Sequence, residues 1–429
     1  MNSAELKEEI NPDSMPVSGH STRPYRILYF DHTAALGGGE IALLNLVRYI
    51  DRRHITPIVV LCSEGPLADR LRNVCEVHIL PLPESVRNTK KDSLGWRSVL
   101  KLRDLAAVVF CSLRLAKFIV KHDINLIHAN SLKADIIGGL AGRLARRPVV
   151  WHIRDRIESD YLPKSAVRAF RFLSRFVPSY VIANSQAVLN TLHLPQNRSQ
   201  TSIPSGVEMP KTYFVLHDAT IVPSSVAVDS ASGYQVIGLI GRICPWKGQH
   251  IFLQAAAAVA QRFPNARFKI VGAALFGEDE YEAKVRRLCT DLALDTVVEF
   301  AGFRSNVGEL IAGLDVVVHA STTGEPFGQV IVEGMAAGKP VVATNGGGVP
   351  EIVVDTVTGF LVPMGDPVAM AEAICKILAA PAMARNMGFH GFMRVRKLFT
   401  IERAAEKVKS IYYGILQSPE SGRCHLTNP

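Results

Sequence analysis

The chain holds 429 residues, 48% hydrophobic and 20% charged, with a formal net charge of +9. Its length exceeds one ordinary domain and supplies two buried cores, and the apolar share excludes a disordered polymer. The positive balance favours an anionic partner, either nucleotide phosphates or an acidic membrane surface, and also suits plain solubility.

Residues 1–23 lack an apolar segment and read as a polar, disordered tail with no secretory signal. Tyr25 to Phe30 is a first strand. It feeds DHTAALGGGE and then the helical run IALLNLVRYI. Glycines between a strand and a helix either admit a ligand to the helix start or form a flexible turn. Gly37 to Gly39 carry both readings, and the loop is no G-x-G-x-x-G dinucleotide fingerprint.

Further strands are predicted at Thr56 to Cys62 and Val77 to Leu80, then at Leu126 to Ala129 after a long basic helical region. Arg114 and Lys117 interrupt the apolar run Leu105 to Val120. That run falls short of the ~20 residues a spanning helix needs. Strands alternating with helices predict a mostly parallel sheet covered on both faces, with ligands at the carboxyl ends of its strands.

Pro148 to Asp155, PVVWHIRD, reads as one more such strand. His152 and Arg154 are two apart and share a face, where they either meet an anionic ligand or serve the structure. In Lys164 to Tyr180, Lys164, Arg168, Arg171 and Arg175 recur at helical spacing among Phe170, Leu173 and Phe176. That pattern suits a helix lying on an anionic bilayer or an ordinary surface helix, and Arg87, Lys90, Lys91, Arg97 and Lys101 strengthen the first reading. Val181 to Ala183 returns as a strand, and Ile203 to Glu208 closes a first domain over 24–208. Periodicity fades over 209–233, the expected linker with a short insertion.

The second half, 234–399, restarts with the strand Gln235 to Ile240 and a turn that Arg242 and Lys247 flank, placed to grip one diphosphate. After strands at Arg267 to Val271 and Val297 to Phe300 comes the most informative stretch, Ser321 to Gly334. Asp315 to His319 is a buried strand, Thr322 to Pro326 a turn, and a helix runs on from Phe327. Gly328 in its first turn admits close approach to N–H groups that suit a phosphate. Glu325 precedes that helix start and Glu333 lies about five residues inside it, roughly 8 Å along the axis. They fit the hydroxyls at either end of a nucleotide sugar, or serve as a dipole-favoured acid and a solvated helix residue. The strand PVVAT, the turn glycines Gly346 to Gly348 and helices at Pro367 to Leu378 and Thr400 to Leu416 complete the chain, with a loose tail from residue 417. Seven dispersed cysteines without a C-x-x-C pair argue for a reducing compartment and against a zinc site.

Through EPFGQVIVE, GRICPWKGQ, GFRSNV, NGGGVPEIV and TGFLV, and in the first half GGGE, PVVWHIRD and IPSGVE, the chain resembles a retaining GT-B glycosyltransferase of family four. The resemblance implies an α/β fold of two Rossmann-like domains with a donor/acceptor cleft, and a final helix, 400–416, crossing back to the first domain. It implies that Arg242 and Lys247 hold the donor phosphates, Glu333 the ribose, and Glu325 faces the sugar. Gly328 would complete the phosphate site, and Gly37 and Gly38 would approach the diphosphate. The family's cleft histidine falls on Arg154 here, with His152 one pleat earlier, so either could contact the sugar, and Arg154 could not accept a proton. The implied partners are a UDP- or GDP-hexose and a lipid-linked or glycan acceptor, with an anionic membrane surface and no nucleic acid. No D-x-D motif appears, so the expectation is a cytoplasmic, metal- and cofactor-independent hexosyltransferase. A GT-B sugar-nucleotide epimerase and a non-catalytic sugar-nucleotide-binding protein are the alternatives.

Overall fold

The computed structural model describes residues 23–81, 98–210, 214–217, 220–223, 233–275, 277–304 and 306–418. Most of the tails expected at 1–23 and 417–429, the basic residues Arg87, Lys90, Lys91 and Arg97, and much of the linker lie outside them, while Gln417 belongs to the last helix.

Two parallel sheets form the framework. The first contains β1 (Tyr25–Asp31), β2 (Ile55–Leu61), β3 (Glu76–Ile79), β4 (Leu126–Ala129), β5 (Val149–Ile153), β6 (Tyr180–Ala183) and β7 (Gln200–Ser202), in the order β3-β2-β1-β4-β5-β6-β7. After an antiparallel pair, β8 (Phe214–His217) and β9 (Thr220–Pro223), the second sheet begins. It contains β10 (Gln235–Ile240), β11 (Ala266–Val271), β12 (Val298–Gly302), β13 (Val316–His319), β14 (Val341–Thr344) and β15 (Gly359–Val362), ordered β12-β11-β10-β13-β14-β15. Every residue of β4, β13 and β14 is buried, as expected of central parallel strands with helices on both faces.

Strand order reverses between β1 and β4 in one sheet and between β10 and β13 in the other. Loops diverge at such a switch point and leave a crevice at the carboxyl ends of the strands. The residues singled out from sequence follow β1, β5, β10 and β13, so chain topology collects them at these two crevices.

The helix Pro381–Leu398, PAMARNMGFHGFMRVRKL, was not among the expected elements, and it carries Gly388 and Gly391 in its interior. Both glycines are sites of close packing. A Cβ at Gly388 would lie 1.9 Å from the Gly338 carbonyl oxygen, and one at Gly391 would lie 3.2 Å from the Met335 side chain. The chain then returns to the first domain: Thr400 bridges Val207, and Ile401, Val408 and Tyr412 of the last helix, Ile401–Gln417, join the core beneath β1. The expected linker with a short insertion contains the β8–β9 pair. Among the described residues, no single helix is long and apolar enough to cross a membrane.

Candidate active site

In the second domain the site is built around Glu325. Its Oε2 accepts from Lys247 Nζ at 2.7 Å and Ser321 Oγ at 2.9 Å, and lies 3.0 Å from His319 Nε2. The Thr344 hydroxyl, at the end of β14, donates to the Ser321 carbonyl at 2.9 Å. Burial acts to raise the Glu325 pKa, but the Lys247 charge and the His319 hydrogen bond outweigh it and hold the carboxyl well below the usual range. Because β10 and β13 are neighbours, the turn after one reaches the turn after the other across 78 residues of sequence.

Lys247 closes a 3-10 turn, Pro245–Lys247, and its ammonium lies 4.3 Å from the centre of the Trp246 ring. Gln249 Nε2 donates to the Arg242 carbonyl at 2.9 Å, which fixes the turn from its far side. Gly248, with φ +70°, lies against the Ala320 carbonyl, where a Cβ would come within 1.9 Å. Gly328 stands just before the helix Gln329–Ala336, with φ +115°, and not inside its first turn as expected. The first N–H groups of a helix have no acceptor within it. Glu333 lies within that helix and is half-buried, and burial raises its carboxyl to about 7.

In the first domain Gly37 is the helix N-cap, while Gly38 and Gly39 belong to the helix Gly38–Tyr49, so the expected flexible turn is mostly helical. A Cβ on Gly39 would come within 3.3 Å of Arg154 Cδ, so the glycine admits this guanidinium beside the helix start. Arg154 follows the end of β5 and is fastened by Nε to Asn130 Oδ1 at 2.7 Å and by Nη1 to Ser205 Oγ at 3.0 Å. Asn130 Nδ2 donates to Asp31 Oδ2 at 2.7 Å and to the Gly39 carbonyl at 3.2 Å, tying the ends of β1 and β4 together. Burial lowers Arg154 to about 10, and burial together with the Asp31 charge raises Glu40 to about 7. His152 is buried deeper, its pKa pushed well down by burial and by Arg154. Its Nδ1 lies 3.1 Å from His128 Nε2.

The two groups meet along a seam. Ser185 Oγ donates to the Pro326 carbonyl at 2.6 Å, and Arg156 Nη1 reaches the Gly324 carbonyl at 3.4 Å. The Glu351 carboxylate accepts from the backbone N–H groups of Gln186 at 2.9 Å and Ala187 at 2.7 Å, capping a first-domain helix from the second domain. Sequence reasoning missed Glu351, His319, Ser321, Asn130 and Ser205. A histidine ending the buried strand DVVVH was the one visible signal among them.

Of the two readings of the helix Lys164–Phe176, the ordinary surface helix accounts for its inner face. There Arg171 is half-buried and bonds inward to the Thr191 and Ile157 carbonyls, while Phe170 is buried. Phe172 and Phe176 are the exposed aromatics, beside the exposed Arg168 and Arg175.

Two family models match the chain. "Glycosyltransferase Family 4" covers residues 36–209, and "Glycosyl transferases group 1" covers 225–391. The crystal structure of Anabaena Alr3699/HepE in complex with UDP and glucose is 29% identical, with a TM-score of 0.74, covering 90% of this chain and 98% of that one. Spore coat protein SA of Bacillus subtilis is 28% identical over 52% of this chain and 61% of its own length. The lipopolysaccharide core biosynthesis glycosyltransferase LpsE of Rhizobium meliloti is 32% identical over 38% of this chain and 45% of its own. The chain thus spans about three fifths of the former's length and less than half of the latter's.

Proposed function

The chain belongs to the family-four, group 1 glycosyltransferases of GT-B fold, and from that premise we propose that it moves a hexose from a UDP- or GDP-sugar to a lipid-linked or glycan acceptor, with retention of the anomeric configuration. The observation that carries this reading is the cluster of Lys247, Glu325 and the helix start after Gly328, with the Arg242 guanidinium 6.0 Å from the centre of the Trp246 ring. A departing diphosphate needs positive charge and N–H donors already in place, and a site that supplies them needs no metal. Arg242 and Lys247 take the phosphates, Glu333 the ribose, and Glu325 the sugar, with Arg154 rather than the more deeply buried His152 meeting it from the first domain, and Gly37 and Gly38 leaving room for the diphosphate. HepE was crystallised with UDP and with UDP-glucose, which favours UDP as the first donor to test.

The acceptor reading rests on a surface. Leu105, Val109, Phe110 and Leu113 on the helix Ser98–Lys121, with Phe172 and Phe176, are 45% to 62% exposed, among exposed Arg114, Lys117, Arg168 and Arg175. Exposed apolar side chains interspersed with exposed cations on each of these helices suit peripheral binding to the cytoplasmic face of an anionic membrane.

The deciding experiment titrates UDP and GDP against the full chain, then follows transfer from the matching sugar nucleotide to lipid and glycan acceptors, with and without a chelator. Transfer that Glu325→Ala abolishes while nucleotide binding persists supports the proposal. Free epimerised sugar nucleotide without acceptor, or binding without turnover, refutes it. Failure to sediment with anionic vesicles at low salt removes the membrane part.

A further inference from the structure

A chain of three buried side chains runs from the last helix to Arg154. Tyr412 Oη lies 2.7 Å from His128 Nδ1, His128 Nε2 lies 3.1 Å from His152 Nδ1, and Arg154 Nη2 lies 3.4 Å from that same His152 Nδ1. All three of Tyr412, His128 and His152 are at most 3% exposed. Tyr412 and His128 are separated by 284 residues, because the helix Ile401–Gln417 returns to the first domain from the second.

The proton positions along this chain follow from what each group can do. A guanidinium has five N–H donors and no acceptor, so a nitrogen that meets it must offer a lone pair. His152 Nδ1 therefore carries no proton. Burial and the Arg154 charge keep both imidazoles neutral, so the His152 proton resides on Nε2. With His152 Nδ1 as acceptor, His128 Nε2 is the donor, and His128 Nδ1 is left to accept from the Tyr412 hydroxyl.

We propose that Tyr412 is a positioning residue: by donating to His128 it fixes the tautomers of both histidines, and so presents the lone pair that orients the Arg154 guanidinium. Without that hydroxyl, His128 can carry its proton on Nδ1. His152 would then donate from Nδ1 towards His128, turning an N–H against the Arg154 cation. Three of the five Arg154 donors are committed, to Asn130, Ser205 and His152. Loss of the third leaves the guanidinium held at Nε and Nη1 alone, so its Nη2 edge is no longer fixed. The final helix thus acts as a tether and also sets the polarity of a relay ending at the site.

The activity arm of the test rests on the glycosyl-transfer reading, whereas the spectroscopic arm does not. In the full chain labelled with 15N-histidine, the His152 ring nitrogens are assigned by comparison with His152→Gln. The expected pattern is a proton on Nε2 and a bare Nδ1, and Tyr412→Phe should convert it to a mixture. Tyr412→Phe should slow transfer about tenfold, the worth of one hydrogen bond. Tyr412→Phe combined with His128→Gln should recover most of that rate, since the glutamine N–H can donate to His152 without the tyrosine. A proton on His152 Nδ1 in the native chain overturns the proposal, as does a Tyr412→Phe variant with unchanged tautomer and rate, or a double variant no faster than the single one. If the native chain shows no transfer, the enzymatic reading fails, and the nitrogen shifts still decide the relay.

Discussion

Replacing Lys247 with methionine keeps most of the aliphatic stem and removes the charge that faces Glu325 at 2.7 Å. The two side chains are 18% and 11% exposed, so neither charge is well solvated. At an effective dielectric constant near 20, unit charges about 4 Å apart interact by roughly 4 kcal/mol. The loss also has a ceiling, because a carboxyl without its cation can take up a proton. At pH 7 that costs about 3.7 kcal/mol, some 2.7 pH units above an ordinary glutamate at 1.36 kcal/mol each. His319 and Ser321 remain beside Glu325 in the variant, so the expected destabilisation is about 3 kcal/mol, the low end for breaking a buried pair.

The sign with pH is fixed. Glu325 has a depressed folded pKa, so the pair stabilises the fold above the unfolded value of about 4.3 and loses its effect as pH falls towards the folded one. The gap between native protein and variant in urea unfolding should therefore be largest at pH 7 and above and shrink as pH falls, beginning where the unpaired carboxyl of the variant takes up its proton. Lys247→Met with Glu325→Gln should recover more than half of the lost stability, since no buried charge is then left alone. Both variants should bind UDP roughly 10- to 100-fold more weakly by calorimetry, the loss of one charge-assisted hydrogen bond to phosphate. A single variant within about 0.5 kcal/mol of the native protein, or a strictly additive double variant, would refute the argument.

Glu333 titrates near 7, so if its carboxylate holds the ribose, UDP affinity should rise between pH 6 and 8, and Glu333→Gln should flatten that rise. Gly347 has φ +63°, and a Cβ there would lie 2.0 Å from the Glu325 carbonyl oxygen, whereas Gly365 at φ +74° faces open space. Gly365→Ala should cost only the left-handed penalty of about 1–2 kcal/mol. Gly347→Ala should lower the melting temperature further and weaken UDP binding by displacing Glu325; equal effects of the two would show that crowding there is unimportant. Glu351→Ala removes two hydrogen bonds across the seam, about 1–3 kcal/mol, and should separate the unfolding of the two domains in calorimetry. A single unshifted transition would count against a role for the cap.

Strands were the most legible part of the sequence. Gln235 to Ile240 and Leu126 to Ala129 have the predicted ends, because continuous β-branched and aliphatic runs between turn residues have few other uses in a parallel sheet. The helix Pro381–Leu398 was illegible for a tertiary reason: its glycines serve a contact with Gly338 that lies 50 residues away in sequence. Position at a strand end was readable for Glu325, Lys247 and Arg154, but their partners were not. The pairing of Lys247 with Glu325 requires knowing that β10 and β13 are adjacent, and sequence spacing carries no strand order. Arg171 fails in the same way, since helical periodicity cannot say which basic residue meets Glu158 and the Thr191 carbonyl.

The two crevices have opposite electrostatic designs, and that contrast bears on how a ligand would engage them. In the second domain a buried acid, Glu325, is surrounded by Lys247, His319 and Ser321. In the first, a half-buried cation, Arg154, has Asp31, Glu40 and Asp135 nearby, and the acids favour its charged form. A pyrophosphate arriving at Lys247 would compete with Glu325 for the same ammonium, so binding would weaken the grip that holds Glu325 ionised and free it to accept from a sugar hydroxyl. Asp31, held ionised by its hydrogen bonds beside Arg154, offsets part of the guanidinium charge there. An anion would therefore be drawn more strongly to the second lobe, beside Lys247, than to the first.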